Sequence, residues 1–409
     1  MSAPTVVERA RQTRRLLDAE GLDGVVARLR RRAAARLEPS AGHVAVSPAD
    51  LRRAADVAAA GWTLPEPLPV PAGGGLKIAW VAEPPGPGSG GHTTMFRIVS
   101  ALERRGHECV VYLDDRHGWE LGQHRANIRE WWPWVEAEVR STSEGIEDAH
   151  AIFATSWPTA YPVLASPARG RRMYLVQDFE PWFYPAGTEY LLAEATYRFG
   201  FHALTAGRWL AGRLQSDYGM AAGHFDFGCD VDRYPLDVAA ERTGVCCFCR
   251  PSTPRRAHDL AMMTLELLAE RHPGTDIHLF GEPAGRLPFA ATHHGLLTPE
   301  ELGALYNRCV AGLVLSATNV SLVPHEMLAA GCVPVVNDAQ HNRVVLDNPE
   351  VVYAAATPFD LARALGELVD QSPGDRSARS RAASASVQNT SWERAGDQAE
   401  AVVKQAVGA

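Results

Sequence analysis

The sequence predicts an α/β protein with two doubly wound parallel sheets that face each other across a cleft, preceded by a helical extension. The chain has 409 residues, and at roughly 150 residues per domain this is enough for two or three domains. From residue 76 onward short apolar runs alternate with helical segments, which is typical of parallel strands connected by crossover helices. A second series of the same kind begins near residue 243.

The composition excludes several classes of protein. Apolar residues make up 46% and charged residues 22% of the chain, as in ordinary globular proteins. The net charge of -8 argues against a dedicated nucleic-acid binder, which carries a basic excess. The seven cysteines follow no secreted framework, and we find neither a signal-peptide core nor a run of 18 apolar residues. We therefore expect a cytoplasmic protein with reduced thiols.

Residues 1–75 are expected to form a helical arm and a Pro/Gly-rich linker. Residues 1–36 contain nine arginines and four acids, and the apolar residues between Leu22 and Leu29 follow helical spacing. This basic helix either contacts an anionic membrane surface or packs on the main body with its arginines in solvent. We favour the second interpretation because the apolar stripe is short and lacks Trp or Phe. The prolines of residues 64–71 predict a stiff spacer.

Two strand-and-helix series define the predicted domains at 76–236 and 237–385. Continuous apolar runs predict buried parallel strands. In the first domain these lie at 76–81, 109–113, 150–154, 172–177 and 201–205, with a helix at 92–105. In the second they lie at 244–249, 276–280, 310–315, 332–336 and 351–354. Thr298 and Thr357 are each followed by a proline and acidic residues, which predicts capped helix starts.

The loop after the first strand offers a choice between two ligands. Residues 86–91 satisfy G-x-G-x-x-G, and Asp114 and Asp115 end the next strand, as in a dinucleotide site. However, three prolines remove backbone N–H groups from this loop, and such groups are what a pyrophosphate cradle supplies. We therefore expect Gly90 and Gly91 to allow close approach of another ligand, and an NAD-dependent enzyme is the less favoured alternative.

Positive charge and a helix start follow the strands of the second domain. Arg250 follows the strand at 244–249 and Arg255 precedes the next helix. Arginine binds phosphate in a bidentate manner and keeps its charge, so the pair is a candidate diphosphate site. Residues 321–323 open a later helix, so their N–H groups can point at an anion. Glu326 can accept hydrogen bonds from ribose hydroxyls, and its alternative role is a favourable interaction with the helix dipole.

Several of these stretches together resemble the retaining GT-B glycosyltransferases of family 4. They are Gly-Gly-His-Thr-Thr-Met-Phe-Arg from Gly90, the pair Arg250 and Arg255, Pro-His-Glu-Met-Leu-Ala-Ala-Gly from Pro324, and Ser-Trp-Glu from Ser391. Within that family, Val-Gln-Asp-Phe-Glu-Pro-Trp-Phe-Tyr-Pro-Ala-Gly from Val176 resembles bacterial rhamnosyltransferases of the WsaF type from surface-glycan assembly. The resemblance covers about residues 76–405.

The resemblance implies two facing Rossmann-like domains and a role for each matching residue. The acceptor site would lie in the first domain and the nucleotide-sugar site in the second, with a last helix within 386–409 crossing back. The implied donor is dTDP-rhamnose and the acceptor a saccharide or lipid-linked glycan. No catalytic metal is implied, because arginines and helix N–H groups stabilise the departing diphosphate. The implied donor contacts are Arg250 and Arg255 with the diphosphate, Ser321, Leu322 and Val323 through backbone N–H groups, Glu326 with the ribose, Gly281, Gly295 and Leu296 in the nucleotide pocket, and Gly90 and Gly91 from the facing domain.

The sequence departs from the family pattern at one position and offers three candidate catalytic residues. The first of two glutamates usual in the family falls on Thr318, which leaves the sugar open and keeps a non-catalytic scaffold as an alternative. In the mechanism usually proposed for the family a donor phosphate oxygen takes the proton. Asp178 and Glu180 are expected to contact the acceptor, or else to cap a helix or form a surface turn. His92 is expected to orient the acceptor or a phosphate, or else to be structural.

Overall fold

The computed structural model describes residues 46–409 except 72, 87, 116, 117, 119 and 321. Residues 47–409 form one compact unit. The basic helix expected within residues 1–36 and the donor-site candidate Ser321 lie outside the described residues.

The first sheet is parallel and has seven strands. In chain order they are β1 (Lys77–Ala82), β2 (Glu108–Leu113), β3 (Glu138–Ser141), β4 (Ala151–Ala154), β5 (Arg171–Val176), β6 (His202–Ala206) and β7 (Ala222–Phe225). Their spatial order is β3-β2-β1-β4-β5-β6-β7, so the winding direction reverses between β1 and β4. One helix, α1 (Pro48–Ala59), precedes the first strand. The helices that follow in this domain are α2 (Gly90–Arg104), α3 (Leu121–Trp131), α4 (Trp157–Ala165), α5 (Thr188–Thr196) and α6 (Arg208–Tyr218).

The second sheet repeats the same winding with six parallel strands. These are β8 (Gly244–Cys249), β9 (Ile277–Gly281), β10 (Thr292–His293), β11 (Cys309–Val314), β12 (Val333–Asn337) and β13 (Val352–Ala354), in the order β10-β9-β8-β11-β12-β13. Its helices are α7 (His258–Arg271), α8 (Pro299–Arg308), α9 (Val323–Ala329), α10 (Gln340–Leu346), α11 (Pro358–Val369) and α12 (Pro373–Ser386), and α13 (Trp392–Val407) follows. In open sheets of this kind ligands bind beyond the carboxyl ends of the strands, at the reversal.

Every strand predicted from an apolar run is present within two residues of its expected ends. Three further strands, β3, β7 and β10, were not predicted. Each lies at the edge of its sheet and is partly exposed, so it lacks the continuous apolar run of a central strand. The capped start at Thr298 is confirmed: its hydroxyl accepts from the Glu301 N–H at 3.3 Å, and the Glu301 carboxylate accepts from the Thr298 N–H at 2.8 Å.

The interior contains the apolar strand residues of both sheets. In the first domain the Trp80 and Phe153 rings stack at 4.2 Å. All seven cysteines are buried and free, and five of them lie in strands, where a thiol packs as a small apolar group. Within the part of the chain that the structure describes, no three His, Cys, Asp or Glu side chains gather as a metal site. In that same part, no helix is both long and apolar enough to cross a membrane.

The last helix returns to the first domain. The Arg105 guanidinium binds the Glu393 carboxylate at 2.7 Å, and the Asp226 N–H donates to Gln398 Oε1 at 2.8 Å. The chain thus passes between the domains twice, first near residues 226–243 and again near 387–391. The two passages touch at Gly228, where an added Cβ would lie 2.5 Å from the Trp392 nitrogen.

Candidate active site

A cavity of about 530 Å³ lies in the cleft, lined by both domains at the carboxyl ends of their strands. Of the predicted site residues, the first domain contributes Gly90, Gly91, His92 and Asp178. The second domain contributes Arg250, Arg255, Gly281, Leu296, Leu322, Val323 and Glu326. The structure therefore brings together the arginine pair and the start of α9, which are far apart in sequence.

Five arginines of the described residues line the cavity, and three of them, rather than the predicted two, lie in the segment after β8. Arg250 follows β8, and Arg255 and Arg256 lie in the 3₁₀ turn Pro254–Arg256. The Arg255 guanidinium lies 4.1 Å from the centre of the Phe183 ring in the first domain. Burial lowers the pKa of Arg256, and the positive charges of Arg255 and Arg250 lower it further. Arg256 was not predicted as a site residue, although the Arg-Arg doublet is visible in the sequence.

Arg250 and Arg255 each face a carboxylate. Arg250 Nε lies 3.4 Å from Glu282 Oε1. The other Glu282 oxygen accepts from the Ser252 N–H at 3.0 Å, so this acid also fixes the loop after β8. Arg255 Nε lies 3.5 Å from Asp178 Oδ2, an acid of the opposite domain.

The loop between β11 and α9 joins the two domains. The Thr318 hydroxyl donates to Asp178 Oδ1 at 2.6 Å. Asn319 Nδ2 donates to the carbonyl oxygens of Gln177 at 2.7 Å and Ala206 at 3.1 Å. Burial raises the pKa of Asp178, while the nearby Arg256 and Arg255 oppose that rise. Asn319 gave no signal in the sequence, because its role depends on contacts with the other domain.

The helix α9 brings Glu326 to the cavity wall. Burial raises the pKa of Glu326 to about 7, partly offset by the neighbouring Tyr234 hydroxyl and reinforced by the negative charge of Asp230. The helix begins at Val323, with Leu322 before it. A carboxyl group in this half-buried position can change its protonation state near neutral pH and can accept a hydrogen bond from a bound hydroxyl when ionised.

The nucleotide-pocket candidates separate into two groups. Gly281 ends β9 with φ +105°, and an added Cβ would lie 2.4 Å from the Cys249 carbonyl oxygen, so the position requires glycine. Leu296 lies on the cavity wall. Gly295 is not among the lining residues; its carbonyl instead accepts from the Gly281 N–H at 2.8 Å.

An apolar wall not predicted from the sequence completes this part of the cavity. Phe248 and Phe280 line it, and their rings stack at 5.4 Å. Each lies within a strand, and nothing in the apolar run of either strand indicates that its phenylalanine lines a cavity.

The start of α2 forms the first-domain wall. Gly90 and Gly91 are its first residues, and the Gly91 carbonyl accepts from Gln177 Nε2 at 3.0 Å. His92 Nε2 lies 3.1 Å from the Glu83 carbonyl oxygen, and Nδ1 lies 2.7 Å from the Ser89 hydroxyl. The carbonyl only accepts, so Nε2 carries the proton and Nδ1 accepts from Ser89. Burial lowers the pKa of His92, which keeps this ring neutral.

Glu180 does not occupy the position expected for an acceptor-binding residue. It is 5% exposed and is absent from the cavity wall. Its oxygens accept from the Trp157 N–H at 2.6 Å and the Tyr174 hydroxyl at 3.0 Å. Because Trp157 is the first residue of α4, Glu180 satisfies the free N–H of a helix start. The expectation of acceptor contact is therefore wrong for Glu180, which takes the alternative capping role.

The acids expected for a dinucleotide site also have other partners. The Asp114 carboxylate accepts from the Thr142 hydroxyl at 3.2 Å, and Asp115 Oδ2 lies 3.1 Å from His124 Nε2. Neither acid lines the cavity. These contacts give the less favoured NAD interpretation no support.

A family model and a curated protein each match part of the chain. Residues 243–366 match the family model of the WsaF C-terminal domain. The chain is 31% identical over 320 residues to the O-antigen biosynthesis protein RfbC of Myxococcus xanthus, a match that covers 73% of this chain and 25% of that protein. The chain thus spans about a quarter of the length of this curated relative.

Solved structures share the architecture at low sequence identity. TarM superposes with a TM-score of 0.66 at 8% identity, over 80% of this chain and 98% of TarM. Anabaena HepE in complex with UDP and glucose gives 0.62 at 13% identity, over 81% and 100% of the two chains. WaaG, a glycosyltransferase involved in lipopolysaccharide biosynthesis, gives 0.58 at 15% identity, over 81% and 100%. The predicted fold is confirmed: the chain has the GT-B architecture of two Rossmann-like domains facing across a cleft.

Proposed function

We propose that this protein is a retaining, metal-independent glycosyltransferase of polysaccharide biosynthesis, which transfers a sugar from a nucleotide donor to a saccharide acceptor. The observation that carries the proposal is the meeting of Arg250, Arg255 and Arg256 with the start of α9 in one cavity. A departing nucleoside diphosphate develops negative charge, and fixed guanidinium groups stabilise such charge without reorganisation. Charge supplied in this way takes the place of a catalytic metal.

The two walls of the cavity suit the two substrates. The apolar wall of Phe248 and Phe280 accommodates the base, and ionised Glu326 accepts hydrogen bonds from the nucleoside sugar. The acceptor then lies against the start of α2. Its hydroxyl oxygen bonds to the anomeric carbon on the face from which the diphosphate leaves, the bond from that carbon to the phosphate oxygen breaks, and the hydroxyl proton passes to a departing phosphate oxygen.

We propose dTDP-rhamnose as the donor. Support comes from the match of residues 243–366 to the WsaF C-terminal domain, which covers the arginine turn and α9. A thermal-shift screen with dTDP, UDP, GDP and NAD tests the donor, because a ligand that binds only the folded state raises its stability by mass action. The largest shift is expected with dTDP. A shift with NAD alone would contradict the proposal.

A non-catalytic scaffold is the second candidate, and Thr318 is the observation that favours it. Transfer assays with EDTA and with Arg250→Ala separate the two functions. An enzyme of the proposed kind keeps its activity in EDTA and loses it in the variant. A scaffold binds the nucleotide and shows no turnover under any of these conditions.

The acceptor is proposed to be a saccharide, either free or lipid-linked, in the cytoplasm. In the less favoured of the two interpretations of residues 1–36, their arginines would bring the enzyme to the inner face of the membrane, since basic segments bind anionic lipid headgroups. Co-sedimentation of the full chain with vesicles containing one-third phosphatidylglycerol tests this contact. Binding that is equal with vesicles of phosphatidylcholine, whose headgroup is zwitterionic and has no net charge, would contradict it.

A further inference from the structure

The cleft carries a contact whose charges bear on product release. Arg255 and Arg256 are neighbours in one turn, and both residues line the cavity. The acid that faces Arg255 across the cleft is Asp178, at 3.5 Å. It follows β5 of the first domain, whereas both arginines belong to the second domain. The contact thus joins the two walls of the cavity.

The Asp178 carboxylate is held in this position by its own environment. Its side chain is only 13% exposed, and its Oδ1 accepts from the Thr318 hydroxyl at 2.6 Å. Thr318 is fully buried. The oxygen Oδ2 is thereby turned toward Arg255, and the negative charge remains beside the arginine turn.

The arginines need an anion when the cavity holds no diphosphate. Adjacent guanidinium groups repel each other, and partial burial strengthens that repulsion because the effective dielectric constant is lower than in water. The opposing charge of Asp178 reduces this cost at Arg256. A diphosphate uses the same guanidinium groups, and its negative charge is repelled by the same carboxylate.

We propose that Asp178 is an internal counter-ion of Arg255 and Arg256, whose charge it partly neutralises in the empty cavity and for which it competes with the nucleoside diphosphate. This inference rests on the proposed function and adds a role in product release. The carboxylate offsets part of the attraction that the arginines exert on the leaving diphosphate. The product is therefore bound less tightly than the three guanidinium groups alone would bind it.

The variant Asp178→Asn tests the role of the charge. Asparagine has nearly the same shape, and its Oδ1 still accepts from the Thr318 hydroxyl. Titration calorimetry with dTDP and with UDP is expected to give a Kd about 10-fold lower than the wild type, as follows from removing one like charge near the diphosphate. Thymidine and uridine, which carry no phosphate, are expected to bind equally to both proteins.

Two further variants make the test specific. Thr318→Val removes the hydrogen bond and keeps the charge, so its Kd for the same diphosphates is expected to stay within about threefold of the wild type. Asp178→Ser, a smaller neutral replacement, is expected to tighten binding in the same direction and serves if the asparagine variant fails to fold. Melting temperatures identify the folded variants.

The outcomes separate this inference from the proposed function. Diphosphate binding that is unchanged or weaker in the folded neutral variants overturns the counter-ion role and leaves the glycosyltransferase proposal standing. Equal tightening of thymidine also overturns it, because the effect would then not depend on the phosphates. A wild-type protein that binds neither diphosphate overturns the proposed function itself.

Discussion

Replacing Arg256 by methionine tests whether the third arginine belongs to the diphosphate site. Methionine retains most of the apolar stem and removes the guanidinium group. One terminal nitrogen of Arg256 already donates to the Asn319 carbonyl oxygen at 3.2 Å, which fixes the group at the cavity wall. We therefore expect the Arg256 guanidinium group to donate one further hydrogen bond, to a phosphate oxygen of the bound diphosphate.

The expected size follows from that single bond. A hydrogen bond to a charged group contributes about 1.5–3 kcal/mol, and about 1.4 kcal/mol corresponds to a tenfold change in Kd. Arg256→Met is thus expected to weaken binding of dTDP about 10- to 100-fold by titration calorimetry. Thymidine binding should not change, because the nucleoside offers no phosphate.

Arg363→Met is a matched control in the same domain. Its guanidinium group is 64% exposed and pairs with Asp360 on the surface of α11, so its loss should change neither dTDP binding nor stability by more than about 0.5 kcal/mol. A Kd for Arg256→Met within twofold of the wild type, in a protein that melts normally, would refute the assignment of Arg256.

Three other predictions concern glycine geometry and pH. Gly281→Ala is expected to lower the free energy of unfolding by about 2–3 kcal/mol in urea titrations, because the added Cβ would meet Cys249 and the backbone has a positive φ. The control Gly274→Ala, which has open space around it, should change the free energy of unfolding by less than about 1 kcal/mol. Equal losses in the two variants would contradict this prediction. With the pKa of Glu326 raised to about 7, wild-type affinity for dTDP should rise from pH 6 to pH 8 as the carboxylate forms, relative to Glu326→Gln; parallel profiles would count against ribose contact. Burial raises the pKa of Glu180 to about 8, above its value in the unfolded chain, so the stability that its protonated form contributes is complete below about pH 4.5 and is lost as the pH rises through 8. The free energy of unfolding of the wild type, relative to that of Glu180→Gln, should therefore fall over this pH range. A difference between the two proteins that stays constant with pH would contradict this prediction.

The central strands could be predicted because each is a run of consecutive apolar residues, which is typical of a strand buried on both faces. β8 is apolar along its whole length and β1 along all of it except its first residue, Lys77, and the start of α8 carries its own capping residues. Such signals are local, and the alternation of strand and helix then fixes the winding. The edge strands β3 and β7 could not be predicted in this way. Each pairs with a neighbouring strand on one side only and is partly exposed, so its sequence is not a continuous apolar run.

The candidate site was predictable where charge and backbone geometry are local. Arg250, Arg255 and Glu326 follow strands or open helices, and parallel topology brings such positions to one edge. Asp178 and Glu180 show the limit: they are two residues apart after the same strand, yet the 3₁₀ turn Glu180–Phe183 directs one carboxylate to the cleft and the other to α4. Asn319 could not be recognised either, because its hydrogen-bond partners belong to the other domain.

The touching passages at Gly228 and Trp392 constrain how the domains can move. Two chain segments in backbone contact leave little freedom to slide, so displacement there is small and grows with distance from that point. The relative displacement of the two domains is therefore expected to be smallest at this contact. The hydrogen bond from Thr318 to Asp178 also joins the two domains, so any widening of the cleft at that point requires this bond to break.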